Sequence, residues 1–443
     1  MNRSTLDTTD RQAAPDSTST SEAKADRPSA VPTSATERST CPRPMPGVST
    51  VERRCLVHLL RMFGDPALEL ALWNGERIST ANRPPVGTIH IHDRRTLWRL
   101  LLDPKFQFGE GFTAGRLDIE GDLVDVLNIL NRACRQAGPD SRFAQLLAKL
   151  LHRKHPTTLA GSRANIHHHY DIGNDFYRRW LDEQLLYTCA YFPDRMMSLE
   201  QAQIAKMDLV CRKLRLQPGE TVIEAGCGWG ALALHMARSY GVSVRAYNIS
   251  HEQIVYARKR AKSEGLDDRV EFIENDWRNI TGGCDAFMSV GMLEHVGPGN
   301  YRQLGTVIDR CLSADGRGLI HTIGTTEPRP LDSWIERRIF PGAQPPALSQ
   351  MTEIVEPHEL AILDVENLRL HYAETLRHWL ERYEQSVEAV REQFDERFVR
   401  MWRLYLAGSI SAFETGWLQL YQVVFNRASS NQIAWTRDHL VGR

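Results

Sequence analysis

The sequence predicts an α/β chain: a large domain on a mostly parallel sheet, preceded by a small α+β domain. Three observations carry this. Over residues 216–425 short apolar runs alternate with helical runs, the pattern of strands covered by helices on both faces. The first of those runs ends in a glycine-rich turn, GCGWG at 226–230. Over 49–155, helical and strand periods are mixed in short segments.

Bulk composition narrows the function classes. A chain of 443 residues has room for two or three domains and a buried active site. Its 54 basic and 55 acidic side chains leave a net charge of −1, so no global field draws nucleic acid, and partners must be argued from local sites. The eight cysteines are scattered, without a CxxC pair or zinc-type spacing. No apolar run reaches the roughly 18 to 20 residues of a spanning helix, and the first residues carry no apolar signal core. The expectation is a reduced, cytoplasmic protein that holds no metal.

Taken in order, residues 1–48 are rich in Ser, Thr, Pro and Ala and almost lack aromatics, too little apolar surface to offset ordering entropy. A disordered tail is expected there. VERRCLVHLLRMFG and DLVDVLNILNRACRQ read as helices, and ELALWNGE and GTIHIHD as short strands, which gives the small α+β domain of 49–155. SRFAQLLAKLLHRKH (141–155) sets Phe143, Leu146, Leu147, Leu150 and Leu151 on one face beside Lys149, Arg153 and Lys154. Such a helix packs on a neighbour or lies on an anionic membrane surface.

In the large domain, 156–443, strands are read at TVIEAG, VSVRAYNIS, VEFIEND, CDAFMSV and GLIHTIG, with helices such as ALALHMARSY and SHEQIVYARKRAKSEG between them. RRIFPGAQPPALSQM interrupts the alternation, YAETLRHWLERYEQSVEAVREQF reads as long helix, and LQLYQVVFNR can add an antiparallel strand.

The chemistry gathers at the strand ends. In VIEAGCGWGA, glycines 226, 228 and 230 let the backbone approach a ligand and open onto a helix N-terminus. Gly226, Gly228 and Ala231 fit a loose G-x-G-x-x-A pattern, which suits a dinucleotide or S-adenosylmethionine. An NAD site wants an acid about 20 residues on, where AYNIS offers Asn248. Glu224, two residues before the first glycine, is placed to hold the amino group of a methionyl moiety, so a methyltransferase is favoured.

NDW brings Asp276 and Trp277 to the carboxyl edge, where the indole lies against an adenine or packs in the core. VGMLEHVG and LIHTIG deliver Glu294, His295 and His321 to the same edge, as a strand carrying a ready general base would. The three histidines of HHHYDIGNDFY are consecutive and do not face one centre, which argues against a metal. Cys189 in LLYTCAYFPD lacks a neighbouring histidine, and Tyr187, Tyr191 and Phe192 around it suggest an aromatic wall for a cation instead.

Those motifs, with YTCAYF, QAQIAKMDLVCRKLRLQPGETVIEAGCGWG, SVGMLEHVGPGNY, HTIG, WIERRIFPG and HYAETLRHW, closely resemble the cyclopropane fatty acid synthases and the related mycolic acid cyclopropane synthases over about 165–430. FGEGFTAGRLDIEGDL (108–123) resembles that family's N-terminal domain more weakly. The resemblance implies a class I methyltransferase fold, a Rossmann-like mixed seven-stranded sheet with a helical lid. It also implies methyl transfer from S-adenosylmethionine to the cis double bond of an acyl chain in a membrane phospholipid, forming a cyclopropane ring. Peripheral contact with the inner face of the membrane and a homodimer come with it.

By the same resemblance, a bound bicarbonate takes the proton. Its cradle here is Glu294, His321 and Tyr405 with the backbone N–H groups of Cys189 and Ile323, Tyr405 reaching the site from a lid. The S-adenosylmethionine contacts are Tyr187, Thr188, the loop carrying Glu224, Gly226, Gly228 and Gly230, then Asn248 through Gln253, and Trp277 with Arg278. Two departures stand out. Asn248 occupies a position where the family usually has Thr, and AQPPAL (343–348) replaces the family's GYLPSL in a loop expected to border the acyl entrance. Rival readings are methylene- or methyl-branching of oleoyl chains and a small-molecule N-methyltransferase.

Overall fold

The structure, a computed structural model, describes residues 47–136 and 172–440. The tail as far as residue 46, the basic amphipathic stretch 141–155 and the histidines at 167–169 lie outside the described residues.

The first part holds α1 (Thr50–Met62), β1 (Leu68–Leu72), β2 (Arg77–Ile78), β3 (Gly87–Ile91), α2 (Arg94–Leu102), α3 (Pro104–Thr113), β4 (Leu117–Glu120) and α4 (Leu123–Gln136). Ser49 and Glu52 cap α1 reciprocally, side chain to backbone in both directions, which satisfies two N–H groups that the helix start leaves open. The four strands form one sheet in the order β2-β1-β3-β4, with β1 and β3 parallel and the outer pairs antiparallel.

The second part carries seven strands: β5 (Thr221–Ala225), β6 (Ser243–Asn248), β7 (Val270–Glu274), β8 (Cys284–Val290), β9 (Leu312–Gly324), β10 (Leu360–Asn367) and β11 (Gln419–Arg427). Their order is β10-β11-β9-β8-β5-β6-β7. β5 to β9 run parallel, and β11 lies antiparallel to both β9 and β10. The mixed seven-stranded sheet of a class I methyltransferase is therefore present. The reversal of direction away from β5 creates a crevice at the carboxyl ends of the strands, where open α/β sheets bind ligands.

Helices cover the sheet: α5 (Asn174–Arg178), α6 (Leu199–Lys213), α7 (Ala231–Tyr240), α8 (His251–Ser263), α9 (Leu293–Val296), α10 (Tyr301–Cys311), α11 (Ser333–Arg338), α12 (Leu348–Val355), α13 (Arg369–Gln385), α14 (Val387–Gln393) and α15 (Glu396–Glu414). β5 and β8 are buried along nearly their whole length, as central parallel strands must be.

Three local expectations change. The run VGMLEHVG is not strand throughout: β8 stops at Val290, Gly291 turns at φ +72, and Glu294 and His295 ride on the helical turn α9. The long helical run divides at Ser386 into α13 and α14. β10 escaped the sequence reading because LAILDVEN lies at the sheet edge, where its Ile362 and Val365 are exposed and apolar and acidic residues follow one another.

α15 ties the two sheets together. Its Trp402, Tyr405 and Phe413 are buried, and Asn128 and Asn131 of α4 donate to Glu414 (2.7 Å) and Ser411 (2.8 Å) at its far end. Arg400 donates to the Phe112 carbonyl at 2.6 Å and lies over the Phe112 ring. At Gly109 of α3 an added Cβ would stand 2.4 Å from the Trp334 ring, so only glycine permits this approach to α11.

Candidate active site

The carboxyl edge of the sheet opens into a cavity that communicates with solvent. Its floor is the turn after β5. Gly226, Gly228 and Gly230 sit at φ +88, +53 and +85, left-handed backbone that L side chains rarely adopt. Their reasons differ. A Cβ on Gly230 would strike Phe272 at 2.5 Å and one on Gly226 would strike Met292 at 2.9 Å, whereas a Cβ on Gly228 would enter open space. Gly226 and Gly230 are packing requirements, and Gly228 leaves room for a ligand beside the backbone.

Tyr187, Thr188, Glu224, Gly226, Gly228, Asn248, Gln253 and Trp277 line this cavity together. Asn248 ends β6, and its amide donates to Gln253 Oε1 at 2.7 Å and to the Gly228 carbonyl at 3.2 Å. Trp277 follows β7 with Arg278 stacked on it at 4.5 Å, and Asp276 holds that guanidinium at 3.0 Å. Gly230 and Arg278 are not in the lining: Gly230 caps the start of α7 and Arg278 lies over the Trp277 ring. Glu224 is buried, Oε2 has no hydrogen-bond partner, and burial pushes its carboxyl up to about 7 against the pull of Lys206.

The acid and imidazole of the site come from neighbouring strand ends. β8 and β9 pair Val290 with His321, and the Gly291 N–H donates to the His321 carbonyl at 2.9 Å. Gly291 also packs on Thr188, whose Cγ2 would stand 3.0 Å from an added Cβ. Glu294 Oε1 accepts the Ile323 N–H at 2.6 Å, while Oε2 is buried without a partner. Desolvation pushes the Glu294 carboxyl up to about 7. The Ile323 N–H expected to face an anion is thus turned to Glu294.

Gln422 Nε2 lies 3.0 Å from His321 Nδ1. An amide nitrogen can only donate, so Nδ1 accepts and the ring proton belongs on Nε2, which is buried and without a partner. Burial, then the charges of Lys206 and Lys213, hold His321 well below the ordinary histidine range, so the ring is neutral.

Tyr405 reaches down from α15, its hydroxyl 2.7 Å from that of Tyr187. The Phe340 ring packs on both Tyr405 (5.6 Å) and His295 (6.2 Å). Tyr187 also meets Trp180, Trp379 and Tyr177 at 5.2 to 5.5 Å, so an aromatic shell surrounds the segment. Tyr191 and Phe192 do not line the cavity; they pack against His371 at 4.9 and 6.5 Å. The Cys189 thiol is fully buried, donates to the Ala190 carbonyl at 3.1 Å and is pushed far up by burial, so it is no nucleophile.

His295, which the sequence places at this edge, is in the cavity wall, with burial holding its imidazole down to about 4. Sequence reasoning missed three polar residues here. Gln422, Gln203 and Lys206 are fully buried. A signal existed: each is a long polar side chain on the apolar face of its element. The AQPPAL loop also gains a role, since the Gln344 N–H donates to the Glu294 carbonyl at 2.7 Å and Ala347 bridges to Thr325.

Among the described residues no group of three or more His, Cys, Asp or Glu side chains could hold a metal ion.

Residues 158–423 match the family described as mycolic acid cyclopropane synthetase, and residues 55–138 match a domain of unknown function. A probable fatty acid methyltransferase from Pseudomonas putida is 35% identical over 389 residues, which cover 84% of this chain and 96% of the relative. The cyclopropane-fatty-acyl-phospholipid synthase of Escherichia coli K12 is 42% identical over 270 residues, 61% of this chain and 69% of the relative.

Among solved structures, a cyclopropane synthase from Mycobacterium tuberculosis superposes with a TM-score of 0.57 at 30% identity, over 60% of this chain and 98% of that one. A mycolic acid cyclopropane synthase complexed with SAH and CTAB gives the same values. Coclaurine N-methyltransferase reaches a TM-score of 0.60 at 20% identity, covering 72% of this chain and 99% of that one, a likeness of fold.

Proposed function

The chain belongs to the mycolic acid cyclopropane synthetase family and is an S-adenosylmethionine-dependent methyltransferase, and from that premise we propose that it methylates the cis double bond of an unsaturated acyl chain in a membrane phospholipid and closes a cyclopropane ring. One observation carries the reading: Glu294 and His321, from adjacent strand ends, each present a buried atom without a partner, Oε2 and Nε2. A reaction that must remove a proton from carbon needs such a preorganised polar set.

S-adenosylmethionine supplies an electrophilic methyl group when bound. An alkene is a poor nucleophile, so what the protein contributes is alignment and dryness. The residues lining the cavity from the glycine turn to Trp277 hold the donor. Tyr187 and Tyr405, with Trp180, Trp379 and Trp402 around them, offer aromatic faces to the carbocation that methylation leaves, stabilising it without trapping it.

The orphaned Glu294 Oε2 and His321 Nε2 fit a small oxyanion, and bicarbonate held there would supply the base. In this proposal Glu294, aimed by the Ile323 N–H, would accept a hydrogen bond from the anion's hydroxyl. His321 Nε2–H, the Tyr405 hydroxyl and the Cys189 N–H would donate to its remaining oxygens. A methylene- or methyl-branched product would draw on the same residues. An N-methyltransferase would not need them, because its nucleophile is a nitrogen lone pair and no carbon-bound proton must leave.

The reading also carries a division at 49–155 and 156–443, peripheral contact with the inner face of the membrane, and a homodimer. No helix among the described residues is long and apolar enough to cross a membrane.

Expression in a host that lacks such lipids tests the activity. Fatty acids one methylene heavier than their monounsaturated parents, and inert to hydrogenation, are expected. Olefinic products of that mass favour branching, and an unchanged lipid profile sinks both.

A further inference from the structure

The cavity holds a cation to which no motif pointed. Lys206 lies on α6, three residues beyond Gln203, and is fully buried. Among the described residues its Nζ makes one hydrogen bond, 2.9 Å to Thr188 Oγ1, and no ion pair. Its first charge partner is the buried Asp182, and its charge also bears on Glu224, which faces the same cavity with Oε2 unpartnered. Desolvation holds the ammonium down to about 8 and the Glu224 carboxyl up to about 7, although each favours the charge of the other.

A structural duty does not account for this lysine. The segment before Cys189 is already held: the Asp182 carboxylate accepts the N–H groups of Gln184 (2.9 Å) and Leu186 (2.8 Å) and fixes Leu185 at φ +57. Gln203 Nε2 donates to the carbonyls of Leu186 (3.3 Å) and Thr188 (2.9 Å). An ammonium buried for one hydroxyl contact is costly, and an apolar side chain of that length would fill the space more cheaply. A buried cation and a buried anion, both short of partners on one cavity, are complementary to a zwitterion.

We propose that Lys206 is a binding residue for the methyl donor: it takes the α-carboxylate of the methionyl head while Glu224 takes the α-ammonium. This rests on the donor being S-adenosylmethionine and not on the identity of the lipid. Thr188 lies between the two functions. Its hydroxyl accepts from Lys206, and its carbonyl is tied to Gln203 immediately before Cys189. Seating the head therefore also sets the segment that carries the Cys189 N–H.

Calorimetric binding to the full chain tests this without turnover. The probes are S-adenosylhomocysteine, S-adenosyl-3-thiopropylamine, which lacks only the carboxylate, and S-adenosyl-4-thiobutyrate, which lacks only the amine. The unaltered protein should bind the decarboxylated probe about tenfold to a hundredfold more weakly than S-adenosylhomocysteine, the range for a hydrogen bond to a charged group. Lys206→Met should lose that preference while binding the decarboxylated probe as before. Glu224→Gln should lose discrimination against the deaminated probe alone.

Equal weakening of all probes by Lys206→Met, a purely structural effect, overturns the proposal. So does equal binding of S-adenosylhomocysteine and the decarboxylated probe by the unaltered protein, an outcome that needs no variant to fold. A failure of the lipid assay would leave every one of these affinities untouched.

Discussion

Glu294 and Ile323, twenty-nine residues apart, meet through a 2.6 Å hydrogen bond from the Ile323 N–H to Glu294 Oε1. That bond fixes one carboxylate oxygen and leaves the other buried and unpartnered. The Glu294 carboxylate is thus aimed by the end of β9 while it rides on the helical turn that follows β8.

Glu294→Gln keeps the shape and the Ile323 contact but removes the acceptor that Oε2 provides. Turnover should fall at least a hundredfold, the scale of losing a positioned acid–base group. Affinity for S-adenosylhomocysteine should stay within about twofold, because the residue faces the proton-removal step. Loss of cofactor binding in a folded variant would refute the assignment.

The same variant has a stability signature. Burial raises the folded carboxyl of Glu294 to about 7 from the ordinary 4.5, so between those values the folded state binds more protons than the unfolded state. Stability contributed by this group is therefore full below about 4.5 and is lost as pH rises through 7. Glu294→Gln does not titrate. Its melting temperature relative to the unaltered protein should rise from pH 5 to pH 8.5, by the equivalent of a few kcal/mol at most. A difference independent of pH would show that Glu294 does not carry the raised value.

Gln422→Leu removes the donor that places the His321 ring proton on Nε2. The turnover number should drop about tenfold or more with cofactor affinity unchanged, the loss of one charge-assisted or orienting hydrogen bond. Imidazole nitrogen chemical shifts of His321 should move from the Nε2–H tautomer toward a mixture. An unchanged tautomer would separate Gln422 from this role.

Gly230→Ala meets two obstacles at once, backbone at φ +85 and the Phe272 ring 2.5 Å from the new Cβ. Destabilisation of about 2–4 kcal/mol is expected, combining left-handed strain with overpacking. Thermal unfolding measures it. Gly228→Ala, whose Cβ enters open space, should cost less stability and more cofactor affinity.

Much of the cavity lining proposed to hold the donor was legible along the chain because it is local. Glu224 and the three glycines fall within seven residues, so backbone requirements alone write the motif. Trp277 and Asn248 mark strand ends that alternation placed. The proposed anion cradle came from resemblance rather than spacing, since Glu294, His321 and Tyr405 belong to three elements that no local rule connects.

By itself the sequence determined the alternating strands, the glycine turn and the strand-end acids, because periodicity and backbone conformation depend on near neighbours. Only the tertiary structure decided which polar atoms are left unsatisfied. It turned the Ile323 N–H to Glu294, set the His321 tautomer through Gln422, and buried Lys206 beside Thr188. Desolvation and hydrogen-bond pairing arise between residues distant in the chain, and burial converts an ordinary lysine, glutamate or histidine into a group with a task.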